Sequence, residues 1–206
     1  MTVKRQKTYY LANLINYKIV FYVFLFCFTP LLIFTQNSKK YTNLKKALEN
    51  IDSVFILDLS GSKISIFPEE IIKLSNLQSI ILKNNKLTKL PASINKLTKL
   101  ESIDLSKNKF EDFPVVLSAL KNVKKINLNR NLISEIPDSI KYFKNLEYLD
   151  LWSNEINYIS QSIRELENLK EIDLRVIMFS IEDKNRIKSL LPNCKIHFSN
   201  SCNCGY

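Results

Sequence analysis

Three groups of side chains in this sequence carry chemistry. Cys194, Cys202 and Cys204 crowd one end beside His197, the single histidine. Three thiolates and an imidazole would suit zinc, but Cys202-x-Cys204 is tight spacing for tetrahedral ligation, and no metal site is assigned. In an oxidising compartment Cys194 would instead pair with Cys202 or Cys204; in a reducing one all three stay thiols. His197, in the run Lys195-Ile196-His197-Phe198, is expected to face solvent on a terminal strand. The third group alternates along short runs: Asn127 and Asn129, then Tyr148, Asp150 and Trp152, then Asp173 and Arg175. Alternation places such residues on one face of a strand. Asp150 and Asp173 side by side would be able to share a proton, but nothing nearby forms a pocket. Trp152 is the only tryptophan and is expected to be exposed. Exposed Trp, Tyr and Arg dominate binding hot spots, so this third group reads as a partner-binding surface.

A repeat positions these residues. Leu77, Ile80, Leu82, Asn85, Leu87 and Leu90-Pro91 set a pattern that starts again at Leu100, Val123, Leu146 and Leu169 and is already present at Val54, each start 23 residues from the last. The apolar–polar–apolar step from Ile80 to Leu82 suits a short strand with one buried face. Such a strand cannot bury its face alone, so each repeat needs a neighbour. Six strands in one register predict a parallel sheet lining the inside of an arc. Asn85, Asn108, Asn131 and Asn154 fall where each strand turns away, and an amide there can satisfy unpaired backbone, including that of the next coil. Ser62 and Ile177 replace it in the first and last repeats, where the pattern of a stack fades. Pro68, Pro91, Pro114 and Pro137 precede apolar residues spaced three apart, such as Ile94 and Leu97, which suits one or two helical or 3₁₀ turns on the outer side. On the inner wall one column carries Asp58, Asp104, Asp150 and Asp173, with Ile81 and Asn127 between them. Like charges in register repel, a cost that a basic partner or a cation would relieve.

The L-x-x-L-x-L-x-x-N-x-L spacing, the Leu-Pro step and the 23-residue period resemble the leucine-rich repeat superfamily, in its short-repeat subclass, over about Val54 to Leu191. The resemblance implies an α/β repeat solenoid: a horseshoe with a concave parallel β-sheet and short helical or 3₁₀ segments on the convex side. It also implies protein–protein recognition, and it brings no common catalytic residue and no cofactor. The expected function is a non-catalytic module that binds a protein or peptide on its concave face through Tyr148, Asp150, Trp152, Asp173, Arg175, Asn127 and Asn129. A cytosolic regulatory scaffold of the same type is the alternative. A hydrolase is disfavoured, because one histidine and two glycines leave little from which to build a site.

Composition frames the rest. The 206 residues allow one domain plus a targeting segment, and the net charge is +10. Lys4, Arg5, Lys7 and Lys18 precede a 16-residue apolar run from Ile19 to Phe34, and no acid precedes Glu49. A spanning helix needs about 20 residues. Residues 1–36 therefore read as a signal peptide, or as an N-terminal membrane anchor if uncleaved, and the protein as secreted or held in the cell envelope. Residues 37–53 are expected to form a capping helix, with Leu44, Ala47, Leu48 and Ile51 of Tyr41–Ile51 on one face. Residues 54–191 hold six repeats, the last degenerate, and 192–206 a capping strand and a cysteine-bearing tail. Nucleic acid is not an expected partner, since the inner columns have the wrong sign and no basic stripe interleaves with aromatics. A monomer is expected. The two glycines, Gly61 and Gly205, exclude Gly-rich phosphate loops.

Overall fold

The computed structural model describes residues 39–199. The apolar run 19–34 with its expected role, and Cys27, Cys202 and Cys204, lie outside the described residues. Within them the first five repeats fold alike: a three-residue strand, a turn, a crossing segment and a 3₁₀ segment. The strands are β1 (Lys40–Tyr41), β2 (Ile56–Asp58), β3 (Ser79–Ile81), β4 (Ser102–Asp104), β5 (Lys125–Asn127), β6 (Glu135–Ile136), β7 (Tyr148–Asp150), β8 (Tyr158–Ile159), β9 (Glu171–Leu174) and β10 (Lys195–Phe198). One parallel sheet runs β1-β2-β3-β4-β5-β7-β9-β10, and β6 and β8 pair separately. The register is constant: Ile56 faces Ser79, Ser79 faces Ser102, Ser102 faces Lys125 and Lys125 faces Tyr148.

The sheet has eight strands rather than the expected six. β10 pairs with β9 at one end. At the other, β1 adds a strand against β2, where the sequence suggested only helix. The helix expected over Tyr41–Ile51 spans just α1 (Leu44–Leu48), because Asn43 takes extended geometry and its side chain caps the helix at the N–H of Lys46. At the far end α2 (Ile181–Leu190) takes the place of a 3₁₀ segment, with Ser180 capping the N–H of Asp183.

The curvature has a simple cause. Strands stack about 4.8 Å apart, whereas 3₁₀ segments such as Glu69–Lys73 and Ala92–Lys96 are fatter and stack at wider spacing. The sheet is therefore the inner wall. Pro68, Pro91, Pro114 and Pro137 stand just before these segments, not inside them, and each carbonyl accepts the first i+3 hydrogen bond, as from Ile94 N–H to Pro91 at 3.2 Å. In the fifth repeat Ser160 fills the proline position. It is buried, and its Oγ accepts from the N–H of Ser162 and bonds Asp138. The core is one column of apolar side chains between wall and outer segments, including Leu82, Leu105, Phe110, Leu128 and Leu151.

Four buried asparagines tie coil to coil. Asn108 accepts the N–H of Leu87 at 3.0 Å and donates to the carbonyls of Leu82 and Leu105, both at 2.9 Å. Asn85, Asn131 and Asn154 repeat the set in their own coils. The bonds reach back to the preceding coil rather than forward. A second, exposed ladder runs at the ends of four repeats, where Asn76, Asn122, Asn145 and Asn168 donate to a carbonyl 24 residues earlier; Lys99 holds the place in the second repeat and donates to the Asn76 side chain at 2.7 Å.

One turn position is left-handed in every coil: Gly61, Asn84, Lys107, Arg130, Ser153 and Val176 all have φ between 54° and 67°. Only Gly and Asn suit that region readily, and a β-branched residue is strained there. Val176→Asn, which installs the residue of the second coil, is expected to stabilise the protein by about 1 kcal/mol. Chemical denaturation reads this; no gain would mean that the strain is relaxed at Val176.

Candidate functional site

The inner wall brings Tyr148, Asn127, Asp150 and Asp173 of the expected binding residues together in two neighbouring columns, while Asn129, Trp152 and Arg175 lie just beyond the ends of their strands. Lys125, Tyr148 and Glu171 follow one another across β5, β7 and β9, with Asn127, Asp150 and Asp173 beside them. They line a hollow of about 450 Å³ that extends to Ser79, Ile81 and Asp104. Tyr148 is 36 % exposed. Trp152 is half-buried rather than exposed, because the guanidinium of Arg130, one coil back, covers its ring at 4.5 Å. Lys125 lies 5.1 Å from the ring centre of Tyr148 in the same way. Both aromatics are thus held by cations of the preceding coil. The position of Arg130, directly after Asn129 and one period before Ser153, is the signal in the sequence that marks it as a neighbour of Trp152.

The acidic column has a local structural cause. Asp58 accepts the N–H of Ser60, Asp104 that of Ser106, Asp150 that of Trp152 and Asp173 that of Arg175, all at 2.8–3.0 Å, and Asn127 does the same for Asn129. A short carboxylate or amide two residues before a free N–H is what closes the end of each strand. Asn129 also donates to Asp150 at 2.8 Å. Arg175 grips both oxygens of Asp173 through Nε at 3.0 Å and Nη2 at 2.5 Å. Burial opposes ionisation of Asp173, yet the hydrogen bonds and charge of Arg175 outweigh it and hold this carboxyl below the ordinary range. Asp173 is therefore a settled anion, which opposes the sharing of a proton with Asp150.

His197 is a correction to the sequence expectation. It does not simply face solvent: its Nε2 lies 2.6 Å from Oε1 of Glu171, and Lys195 Nζ stands 3.5 Å from the same oxygen. The hydrogen bond from His197, with the positive charge of Lys195, keeps Glu171 below the usual glutamate range. Cys194 is half-buried, and burial pushes its thiol up to about 11. Among the described residues no cluster of three or more metal-ligating side chains exists.

Acid should weaken both ends of the wall. Asp58 is also depressed: burial works against its charge, but hydrogen bonds from Lys40 and Ser60 prevail. A carboxyl with a lowered folded pKa contributes stability above its unfolded pKa of about 4 and loses it as pH falls through the folded value. Asp58, Asp173 and Glu171 together predict a melting temperature that is level near neutral pH and falls below about pH 4. A flat profile from about pH 4 to about pH 2 would contradict these pairings.

The comparisons agree with this geometry. The family described as Leucine rich repeat matches residues 52–110, 75–133 and 121–175 in overlapping stretches. A solved structure of a leucine-rich repeat protein from Leptospira interrogans superposes with a TM-score of 0.61 at 29 % identity, covering 79 % of this chain and 48 % of that one. The chain thus spans about half the length of that neighbour. No curated protein matches the sequence. Three overlapping family matches, the 23-residue coil and its asparagine ladder lead to one assignment: the chain belongs to the leucine-rich repeat family.

Proposed function

We propose that the protein is a non-catalytic binding module that takes a protein or peptide partner on the C-terminal half of its inner wall. Leucine-rich repeat domains generally serve protein interaction, and the site residues here suit that task. The observation that carries the proposal is the group Tyr148, Asp150 and Trp152, pinned by Lys125, Arg130 and Asn129 in a wall that every neighbouring coil braces. A preformed site loses little conformational entropy on association, and half-buried aromatics ringed by polar groups supply hot-spot chemistry. Asp173 and Arg175 form the adjoining edge.

A displayed peptide library selected on the full chain tests this. Binders recovered on the native protein are expected to lose about tenfold or more in affinity against Trp152→Ala or Tyr148→Ala. Unchanged affinity in both variants would remove the inner wall from the account.

We further propose that the module acts outside the cytosol. The support is the basic segment up to Lys18 and the apolar run Ile19–Phe34. N-terminal sequencing of the mature protein from its natural host should begin after residue 34. A mature chain that retains Met1 and fractionates with the membrane indicates an anchor; one that retains Met1 in the soluble cytosolic fraction overturns export.

A further inference from the structure

The left-handed turns place a second surface beside the inner wall. Lys63, Lys83, Lys86, Lys107, Lys109 and Arg130 all lie in the turns that follow β2, β3, β4 and β5, and all are exposed. None forms an ion pair with a carboxylate among the described residues, in contrast to Lys40, Lys124, Lys144 and Lys170, which all do. From the strand ends to Lys63, Lys86 and Lys109 the turns contain no acid; Glu155, two coils after Lys109, is the first at an equivalent place. The backbone fixes the row, since the N–H groups of Asn84, Lys107 and Arg130 each donate to the next coil at 2.8 Å. Six cations are thus presented over four coils at a step of about 4.8 Å, a length of roughly 14 Å. Their mutual repulsion is only partly offset, by two carboxylates. The carboxylates that border the row, Asp58 and Asp104, close their own strands, and Asp58 is also paired with Lys40.

We propose that this rim of turns is a docking surface for an extended acidic segment of a partner protein. Charge complementarity is the first ground: six cations without a salt bridge among the described residues stand against two bordering carboxylates, Asp58 and Asp104, which leaves a net positive field beside the inner wall. The side chains between the cations are the second. Ser62 and Asn84 offer a hydroxyl and an amide that hydrogen-bond carboxylates and peptide groups. Single-stranded nucleic acid fits less well, because base stacking needs open aromatic faces, and Trp152, the one ring at the end of the row, is already covered by Arg130. An extended peptide of about five residues spans the row.

The test uses the full chain and a fluorescein-labelled Glu-rich peptide, read by anisotropy across a salt series, with duplex DNA and phosphatidylserine vesicles as competitors. The native protein is expected to bind the peptide more weakly as salt rises. The quadruple variant Lys83→Gln, Lys86→Gln, Lys107→Gln and Lys109→Gln should lose about tenfold or more in affinity, and the matching Lys→Arg set should retain it. A control with the same charge change elsewhere, Lys45→Gln, Lys73→Gln, Lys96→Gln and Lys188→Gln, should stay near native affinity. Equal loss in rim and control sets, no binding at all, or tighter binding of DNA or vesicles than of the peptide would overturn the proposal.

Discussion

Asn131→Ala should destabilise the protein by about 2–4 kcal/mol. The side chain is 5 % exposed and sits at the centre of the stack. Its Nδ2 donates to the carbonyls of Leu105 and Leu128, at 3.1 and 2.9 Å, and its Oδ1 accepts the N–H of Phe110 at 3.0 Å. Truncation leaves the buried N–H of Phe110 without a partner, at about 1–3 kcal/mol, and removes one of two donors from each of the Leu105 and Leu128 carbonyls, which keep Asn108 and Asn154. Asn131→Asp should be no milder, because a carboxylate cannot donate to the two carbonyls and brings a charge into the core. The internal control is Asn145→Ala, which removes a single exposed bond, to Lys121 at 2.8 Å, and should cost about 1 kcal/mol or less. Urea denaturation followed by circular dichroism separates the two. Similar losses for Asn131→Ala and Asn145→Ala would mean that the buried ladder does not tie the coils.

The second large effect belongs to Phe110→Ala, expected to cost about 3–5 kcal/mol. Phe110 is 1 % exposed and is among the largest fully buried side chains. Its own N–H is the one that Asn131 holds, so a cavity here also loosens the ladder. Phe110→Leu is the informative partner. Leu87 occupies the same place one coil earlier, so the fold accepts that shape, and the cost should fall to about 1 kcal/mol. The double variant Phe110→Ala with Asn131→Ala should fall short of additivity, since both changes release the same backbone. In a stack where each coil touches only its neighbours, the damage should stay local. Protection from proteolysis should then drop first in the third and fourth coils.

The repeat was legible because its cause is local and recurs. Leu82, Asn85 and Pro91 each answer a need of a single coil, so the same residue types return at the same places. The buried asparagine bonds, the core positions and the outer 3₁₀ turns follow from that spacing. The left-handed turn was not legible, because only Gly61 and Asn84 show the usual preference, while Lys107, Arg130, Ser153 and Val176 adopt it under tertiary constraint. The aspartate column looked like a ligand site in sequence, whereas each member closes its own strand, a hydrogen bond to an N–H that no pattern of charges reveals. Trp152 read as exposed because its cover, Arg130, comes from another coil. The basic rim was hidden for the same reason. Nothing in the repeat pattern singles out Lys63, Lys86 and Lys109; the turns place them beside Lys83, Lys107 and Arg130.

The account depends on coils that stack in constant register to make one wall. Residue-resolved hydrogen exchange tests this most directly. The N–H groups of Leu82, Leu105, Leu128 and Leu151 each donate to the next coil, at 2.7, 2.8, 2.8 and 3.0 Å. Slow exchange should therefore recur at these four residues, with the exposed turn amides between them that lack such bonds exchanging fast. Protection confined to one block of the sequence, or absent from two or more of these four leucines, would contradict a continuous wall.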